Sequence, residues 1–298
     1  MQPTQKRSAA DLRCYQKGKN MHQLIQLFEN LAERVWFRLR DSMNLGVSQG
    51  EETISDILLL DIVASGINRI HIRKTPKHLE REKGTDWEWW IGSNQIGWIR
   101  YAVQAKKIDI NNRYPNLTHK HPNDGEMQID ILERYAAANQ AVPIYCLYNY
   151  CDLPNLQNYW QCCNAFNEPL LGCTVTPLST ARHAIETHGG KNFCSIHLDE
   201  RTLPLRCLVA CPDLGTLYNN INNPMQAFNM AMQKFGQEIR IFESLPAFLT
   251  AGINDENFGQ DFDDFYSPDI NILPKRIMSV EISTEHNAPL EQNIGIEF

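Results

Sequence analysis

Asp86, Gln104 and Lys106 fall on two consecutive segments whose patterns predict neighbouring β-strands. Residues two apart in a strand point to the same face, so the Gln104 amide and the Lys106 ammonium are both predicted to face Asp86. A carboxylate and an amide oxygen suit a hard divalent cation such as Mg²⁺ or Mn²⁺, which keeps several waters and also binds substrate phosphate. The lysine can orient or deprotonate an attacking water and offset charge building on that phosphate.

Two predicted helices precede these strands. Apolar residues recur at three- and four-residue steps over residues 21–43, which predicts a helix with one stripe facing a core and an end at residues 44–46. A second helix is predicted from about residue 51 to residue 66, with acidic residues in its first turn.

The later segments predict an alternation of strands and helices. In chain order the central elements are strands at 69–73, 86–91 and 98–106, a helix carrying residues 129–136, and a strand at 143–148. Beyond residue 150 we predict a strand at 172–176, a helix at 179–187, a strand at 205–211, a helix at 225–235, an exposed acidic loop at 254–269 and an edge strand at 276–283.

The order of elements and the chemistry-bearing residues resemble the PD-(D/E)xK restriction-endonuclease-like nuclease superfamily. Gln-Ala-Lys at residues 104–106 is similar to the variant of Mrr-like type IV restriction enzymes, in which Gln replaces the usual acid. The resemblance covers about residues 21–150. It implies an α/β fold with a restriction-endonuclease-like core, a mixed β-sheet flanked by helices. It also implies a metal-dependent nuclease that favours DNA over RNA, and only by family analogy a role in host defence.

The resemblance also implies roles for individual residues. Asp86 and Gln104 would be Mg²⁺ or Mn²⁺ ligands, Lys106 would act on the attacking water, and Glu52 on the helix before the sheet would complete the site. Glu51 is an alternative to Glu52 at that position. An amide at position 104 contributes no net charge, so metal binding should be weaker than in the acidic form of the motif.

Further residues near this motif are predicted to bind the metal, to be buried or to contact nucleic acid. Glu88, two residues after Asp86 and on the same predicted strand face, would be an additional metal ligand or the true acid. Trp87 and Trp89 alternate with these acids and should be buried. Residues expected to contact the nucleic-acid backbone are Arg73, Lys74, Lys77, Lys107 and Gln128.

Composition favours a globular chain: of 298 residues, 43% are hydrophobic and 21% charged. No apolar run approaches the ~18 residues of a membrane span, and no apolar signal core lies in the first twenty residues, so we expect a cytoplasmic protein. The net charge is +5 over residues 1–125 and −12 over residues 126–298, so the first part could present a basic face.

These patterns predict three parts of the chain. Residues 1–20 form a flexible basic arm, residues 21–215 a nuclease domain with its core at 21–150, and residues 216–298 an acidic C-terminal α+β extension. A homodimer is compatible with this organisation.

Two other functions fit the same sequence. The chain could be a non-catalytic member of the fold that binds nucleic acid or a protein through a decayed site. It could instead be an interaction module whose second half carries the function. A solvated strand lysine and two acids that favour a helix N-terminus would place the same residue types at these positions without any chemistry.

Overall fold

A β-sheet with helices on both faces forms the centre of the fold in the computed structural model, which describes residues 9–74, 82–121, 125–210, 239–250 and 272–282. The helices are α1 (Ala9–Leu45), α2 (Glu51–Ala64), α3 (Gln128–Ala138), α4 (Leu178–Glu186), α5 (Phe193–His197) and α6 (Ala247–Thr250). The strands are β1 (Ile70–Lys74), β2 (Glu82–Thr85), β3 (Trp87–Ser93), β4 (Gly97–Lys107), β5 (Val142–Tyr148), β6 (Cys173–Pro177), β7 (Leu203–Pro204), β8 (Ile241–Phe242), β9 (Ile272–Pro274) and β10 (Arg276–Glu281). Short 3₁₀ helices lie at Pro115–Thr118, Leu156–Tyr159, Glu168–Gly172 and Leu205–Leu208.

The main sheet is mixed. Over the described residues its strand order is β1-β10-β3-β4-β5-β6-β7, and β8 pairs with β4. β3 and β4 form an antiparallel hairpin in which Trp87 lies opposite Val103, while β5 runs parallel to β4. The prediction of an α/β fold with a mixed sheet flanked by helices is confirmed.

Two hydrophobic clusters cover the two faces of the sheet. α1 and α2 pack on one face, where the α1 stripe that includes Leu24, Phe28 and Val35 meets Trp87 and Trp89. Trp87 and Trp89 are 3% and 5% exposed, which confirms their predicted burial. Residues of α3, α4 and α5 pack on the opposite face. The alternation of side chains along β3 therefore divides its residues between two cores.

The described part of the predicted C-terminal extension at 216–298 contributes strands β8 and β10 to the main sheet. β10 lies between β1 and β3, antiparallel to the first and parallel to the second. It is an interior strand, not the predicted edge strand. Ile277 packs in one hydrophobic cluster and Met278 and Val280 in the other. Apolar residues on both faces suit a strand that is covered on both sides.

The structure also corrects two predictions of secondary structure. α1 begins at Ala9, so most of the predicted flexible arm at 1–20 is helical. Residues 205–208, predicted as part of a strand, form a 3₁₀ helix that begins directly after Pro204. The predicted helix at 225–235 and acidic loop at 254–269 lie outside the described residues. Within the described part of the chain, no helix is long and apolar enough to cross a membrane.

One buried histidine joins α5 to the sheet. His197 is fully buried, and its Nδ1 lies 2.9 Å from the carbonyl oxygen of Phe193, which can only accept, so Nδ1 carries the proton. Its Nε2 then accepts from the hydroxyl of Thr174, 2.9 Å away. Burial lowers the pKa of His197 to about 4, although the Phe193 carbonyl opposes the shift.

Acidification should therefore destabilise the protein through His197. The histidine pKa is about 4 when folded and about 6.5 when unfolded, so the unfolded chain binds more protons between these values. The stability contributed by neutral His197 is complete above pH 6.5 and is lost as the pH falls toward 4, by about 3 kcal/mol. Urea unfolding at several pH values measures this loss. His197→Gln should flatten the dependence in that window, and an unchanged slope would contradict the assignment.

Candidate active site

A cavity of about 320 Å³ lies where the first turn of α2, the β3–β4 hairpin, the N-terminus of α3 and the bend before β10 meet. Its lining contains three carboxylates and three lysine or arginine side chains. The lining residues are Glu51, Glu52, Ser55, Asp86, Gln104, Lys106, Asn116, His119, Gln128, Lys275 and Arg276.

Asp86 and Gln104 are in direct contact in this cavity. The Asp86 Oδ2 accepts hydrogen bonds from the Gln104 side-chain amide and, at 3.1 Å, from the backbone N–H of Ala105. Gln104 is 2% exposed, and its Oε1 has no hydrogen-bond partner among the described residues. A carboxylate, together with the unpartnered oxygen of the amide group that contacts it, is a donor set that fits a hard divalent cation.

The number of acidic donors is small. Among the described residues, no group of three or more His, Cys, Asp and Glu side chains is arranged to hold a metal ion. The pair formed by Asp86 and Gln104 supplies two protein oxygens. Mg²⁺ commonly binds through one or two protein groups and completes its coordination with water and substrate phosphate.

Lys106 points its ammonium into the same cavity although its side chain is only 3% exposed. Its Nζ donates to Gln128 Oε1 at 2.5 Å and lies 3.8 Å from Glu51 Oε2. Burial lowers the pKa of Lys106, and the carboxylates of Glu51 and Asp86 oppose this shift. Lys106 can therefore lose its proton at a lower pH than an exposed lysine.

The two acids that begin α2 occupy different positions. Glu51 Oε1 accepts from the backbone N–H of Lys107 and from the Asn116 side-chain amide, both at 3.1 Å. Glu52 instead lies 2.7 Å from the Lys275 ammonium and is 68% exposed. Both line the cavity, but Glu51, the alternative to Glu52 in the sequence, is the acid nearer Lys106.

Lys275 is a cavity residue that sequence reasoning missed. It lies at the bend between β9 and β10, where β9 runs parallel to β2 and β10 parallel to β3, so its position matches the bend at Asp86. Its Nζ is 3.1 Å from Asp86 Oδ1. Burial acts to lower the pKa of Lys275, but the Asp86 and Glu52 carboxylates outweigh it and raise the pKa. Lys275 is therefore charged at neutral pH.

A protein-family model described as "Family of unknown function (DUF6615)" matches residues 24–285. The chain belongs to this family. All residues that line the cavity fall within the matched range, including Lys275 and Arg276 near its C-terminal end. No curated protein and no solved structure matches the chain.

In this DUF6615 member, Glu88 does not join the cavity. It is fully buried, and its carboxylate accepts from the Trp90 indole at 2.7 Å, from Arg100 at 2.7 Å and from the Tyr135 hydroxyl at 2.6 Å. The predicted role of Glu88 as a metal ligand is therefore wrong. Its strand phase was predicted correctly, but on that face Arg100 of β4 and Tyr135 of α3 bind its carboxylate.

The residues predicted to contact nucleic acid are spread over several places. Gln128 lines the cavity at the start of α3. Lys107 donates from its Nζ to the carbonyl oxygen of Gln49 at 2.7 Å, so it anchors the loop before α2. Arg73 is a half-buried residue of β1 outside the cavity lining. The side chain of Lys74 and all of Lys77 lie outside the described residues.

Proposed function

We propose that this protein is a Mg²⁺- or Mn²⁺-dependent nuclease that hydrolyses phosphodiester bonds, with DNA favoured over RNA as the substrate. The observation that carries the proposal is the buried, unpartnered amide oxygen of Gln104, a side chain whose amide nitrogen contacts Asp86 in the cavity that Lys106 also lines. The resemblance to the PD-(D/E)xK superfamily supports the same hypothesis, as does the Mrr-like Gln-Ala-Lys pattern of this chain. A cytoplasmic location and a role in host defence belong to this proposal by analogy.

The proposed chemistry divides between the cation and the chain. Asp86 and Gln104 would hold the divalent cation, which when bound supplies Lewis-acid polarisation of the phosphate. Lys106, with its pKa lowered by burial, takes a proton from the attacking water or donates a hydrogen bond to the phosphate. The carboxylate of Glu51 attracts the ammonium of Lys106, and the side-chain oxygen of Gln128 orients that ammonium through a hydrogen bond.

A direct assay tests the proposal. Supercoiled plasmid DNA incubated with the purified protein and Mg²⁺ or Mn²⁺ should become nicked or linear, and EDTA should prevent the change. A parallel incubation with single-stranded RNA compares the two substrate classes. Intact DNA at every metal concentration would contradict the proposal.

Substitutions at Gln104 should change the metal requirement. Gln104→Leu keeps much of the volume but removes the oxygen, so metal affinity and cleavage should fall together, by at least the roughly 10–100-fold that loss of an outer-shell partner costs. Gln104→Glu adds a negative charge beside Asp86, so cleavage should survive at a lower Mg²⁺ concentration. Calorimetric titration with Mn²⁺, together with plasmid cleavage, measures both effects.

The control for this pair is Gln161→Leu, which alters a glutamine outside the cavity that donates to the carbonyl oxygen of His197 at 3.0 Å. It should leave the metal requirement unchanged. If both Gln104 variants keep the wild-type metal requirement, Gln104 is only a strand residue and the metal proposal fails.

A second candidate function is nucleic-acid or protein binding through a site that no longer catalyses. The position of Lys275 favours it, since an ammonium already lies between the Glu52 and Asp86 carboxylates, where it balances their charge. This alternative predicts that the protein binds DNA without cutting it and that calorimetry detects no Mg²⁺ or Mn²⁺ binding. Metal-dependent cleavage would exclude it.

A further inference from the structure

The guanidinium of Arg276 is fixed on two sides in the cavity wall. Its Nη2 donates to the carboxylate of Asp56, and its Cζ lies 5.3 Å from the centroid of the Trp87 ring. The residue is 7% exposed, and it is the first residue of β10. Because the salt bridge and the ring contact hold the group from different directions, its remaining N–H groups have a set orientation.

Those remaining groups are unsatisfied. Nε and Nη1 of Arg276 are buried and have no hydrogen-bond partner among the described residues. A guanidinium carries its charge at every accessible pH, and leaving buried donors unpaired costs free energy. A ligand with oxygen acceptors and negative charge would remove that cost.

The charges of the cavity favour an anion once a metal is bound. Three carboxylates and three Lys or Arg side chains line it, so its formal charge is balanced. A divalent cation at Asp86 and Gln104 would leave an excess of two positive charges. Lys275, next to Arg276 in the chain, would then be repelled from Asp86 and available to a negative ligand.

We propose that Arg276, with Lys275 beside it, binds a phosphate group of the nucleic-acid backbone and so fixes the position of the strand in the cavity. The identity of the ligand rests on the proposed nuclease function. A phosphodiester has negatively charged oxygens that can accept from the free N–H groups of arginine, and it has no donor that would compete.

DNA binding can be measured without cleavage in a Lys106→Met background. The probe is a short fluorescein-labelled DNA duplex, titrated by fluorescence anisotropy in Mg²⁺ at several salt concentrations. Adding Arg276→Gln should weaken binding at least about tenfold, because a charge-assisted hydrogen bond is lost. It should also reduce the slope of log affinity against log salt by about 0.9, the value for one phosphate contact. Arg276→Lys should restore the slope but only part of the affinity.

Two matched variants separate phosphate binding from a structural role. Arg34→Gln removes the same charge from an exposed arginine that pairs with the partly buried Asp61 outside the cavity, and it should leave DNA binding within about twofold. Asp56→Asn removes the negative charge that pairs with Arg276 but keeps an acceptor oxygen for Nη2 and leaves the guanidinium in place, so it should weaken DNA binding much less than Arg276→Gln. If Asp56→Asn weakens DNA binding as much as Arg276→Gln does, Arg276 acts only through its salt bridge and the proposal is overturned.

Each remaining outcome supports or overturns the phosphate site, the nuclease function or both. Equal binding by Arg276→Gln and Arg34→Gln, or no binding of DNA by the Lys106→Met protein, overturns the phosphate site. Inorganic phosphate could instead raise the melting temperature of the wild type but not of Arg276→Gln, while the substitution leaves DNA binding unchanged. In that case the site binds free phosphate and not the DNA backbone, and the proposal is overturned. A wild type that binds through Arg276 but never cleaves DNA supports this site and rejects the nuclease. A wild type that cleaves while Arg276→Gln binds normally does the reverse.

Discussion

Replacing Lys106 by methionine is expected to lower the rate of DNA cleavage by about 10²–10⁴-fold, the usual contribution of a general acid or base. The effect on folding should be small. Methionine keeps the length and apolar stem of the lysine, and its loss of charge removes the cost of burying an ammonium. Plasmid cleavage at saturating Mg²⁺ and thermal unfolding measure the two quantities on the same protein.

Two further variants define what Lys106 does. Lys107→Met alters the neighbouring lysine, whose ammonium binds the Gln49 carbonyl oxygen, so it should lower the melting temperature and retain most cleavage. Lys106→Arg keeps a positive charge that cannot be given up near neutral pH. Cleavage by Lys106→Arg would mean that the group stabilises charge and does not take a proton. Full activity of Lys106→Met would remove Lys106 from the mechanism.

Replacing Glu88 by glutamine is expected to lower the free energy of unfolding by about 3–5 kcal/mol, the cost of breaking a buried ion pair by removing one partner. Arg100 would keep its charge with a side chain only 3% exposed, and the hydrogen bonds that it gives to two oxygens of Asn139 supply no compensating negative charge. The affinity for Mg²⁺ should not change, because Glu88 does not line the cavity. Urea unfolding and calorimetric titration measure the two quantities.

The control for Glu88 is Glu133→Gln, which makes the same chemical change in an exposed pair with Arg182 and should alter stability by less than about 1 kcal/mol. The double variant Glu88→Gln with Arg100→Met should recover part of the lost stability, since no unpaired charge then remains buried. A fall in Mg²⁺ affinity at unchanged stability would restore Glu88 as a metal ligand.

The contact of Asp86 with Gln104, and the presence of Lys106 in the same cavity, could be predicted from the sequence because they depend on local geometry. Side chains of a strand alternate between the two faces of the sheet, so neighbouring residues indicate which face each one occupies. The hairpin turn between β3 and β4 is short, so the sequence also indicates that these two strands pair. The roles of these residues in metal binding and catalysis stay predictions until the assays above are done.

Local sequence patterns could not decide which of the two adjacent acids of α2, Glu51 or Glu52, lies nearer Lys106. Neighbouring residues of a helix differ by about 100° in direction, so the choice between Glu51 and Glu52 depends on how α2 is rotated against the sheet. The predicted metal-ligand role of Glu88 was wrong for a related reason. Its partners Arg100 and Tyr135 lie on separate elements, and a charged residue in a strand is normally exposed unless such partners exist.

Lys275 and Arg276 could not be assigned from the sequence. They are far along the chain from Asp86, and only the pairing of β9 with β2 and of β10 with β3 brings them to the cavity. The alternating pattern of residues 276–281 indicates a strand but not its neighbours. An apolar strand near the end of a chain fits the edge of a sheet as well as its interior.

The interior position of β10 has a consequence for the order of events on the ribosome. Chains emerge from the N-terminus, so β1, β3 and β4 are synthesised long before the strand that separates the first two. Until residues 275–281 have emerged, the cavity lacks Lys275 and Arg276, and β1 and β3 have no strand between them. We therefore expect the cavity to be complete only after the last strand of the sheet has left the ribosome, so a ribosome-bound chain that ends before residue 275 should lack the binding properties of the finished protein.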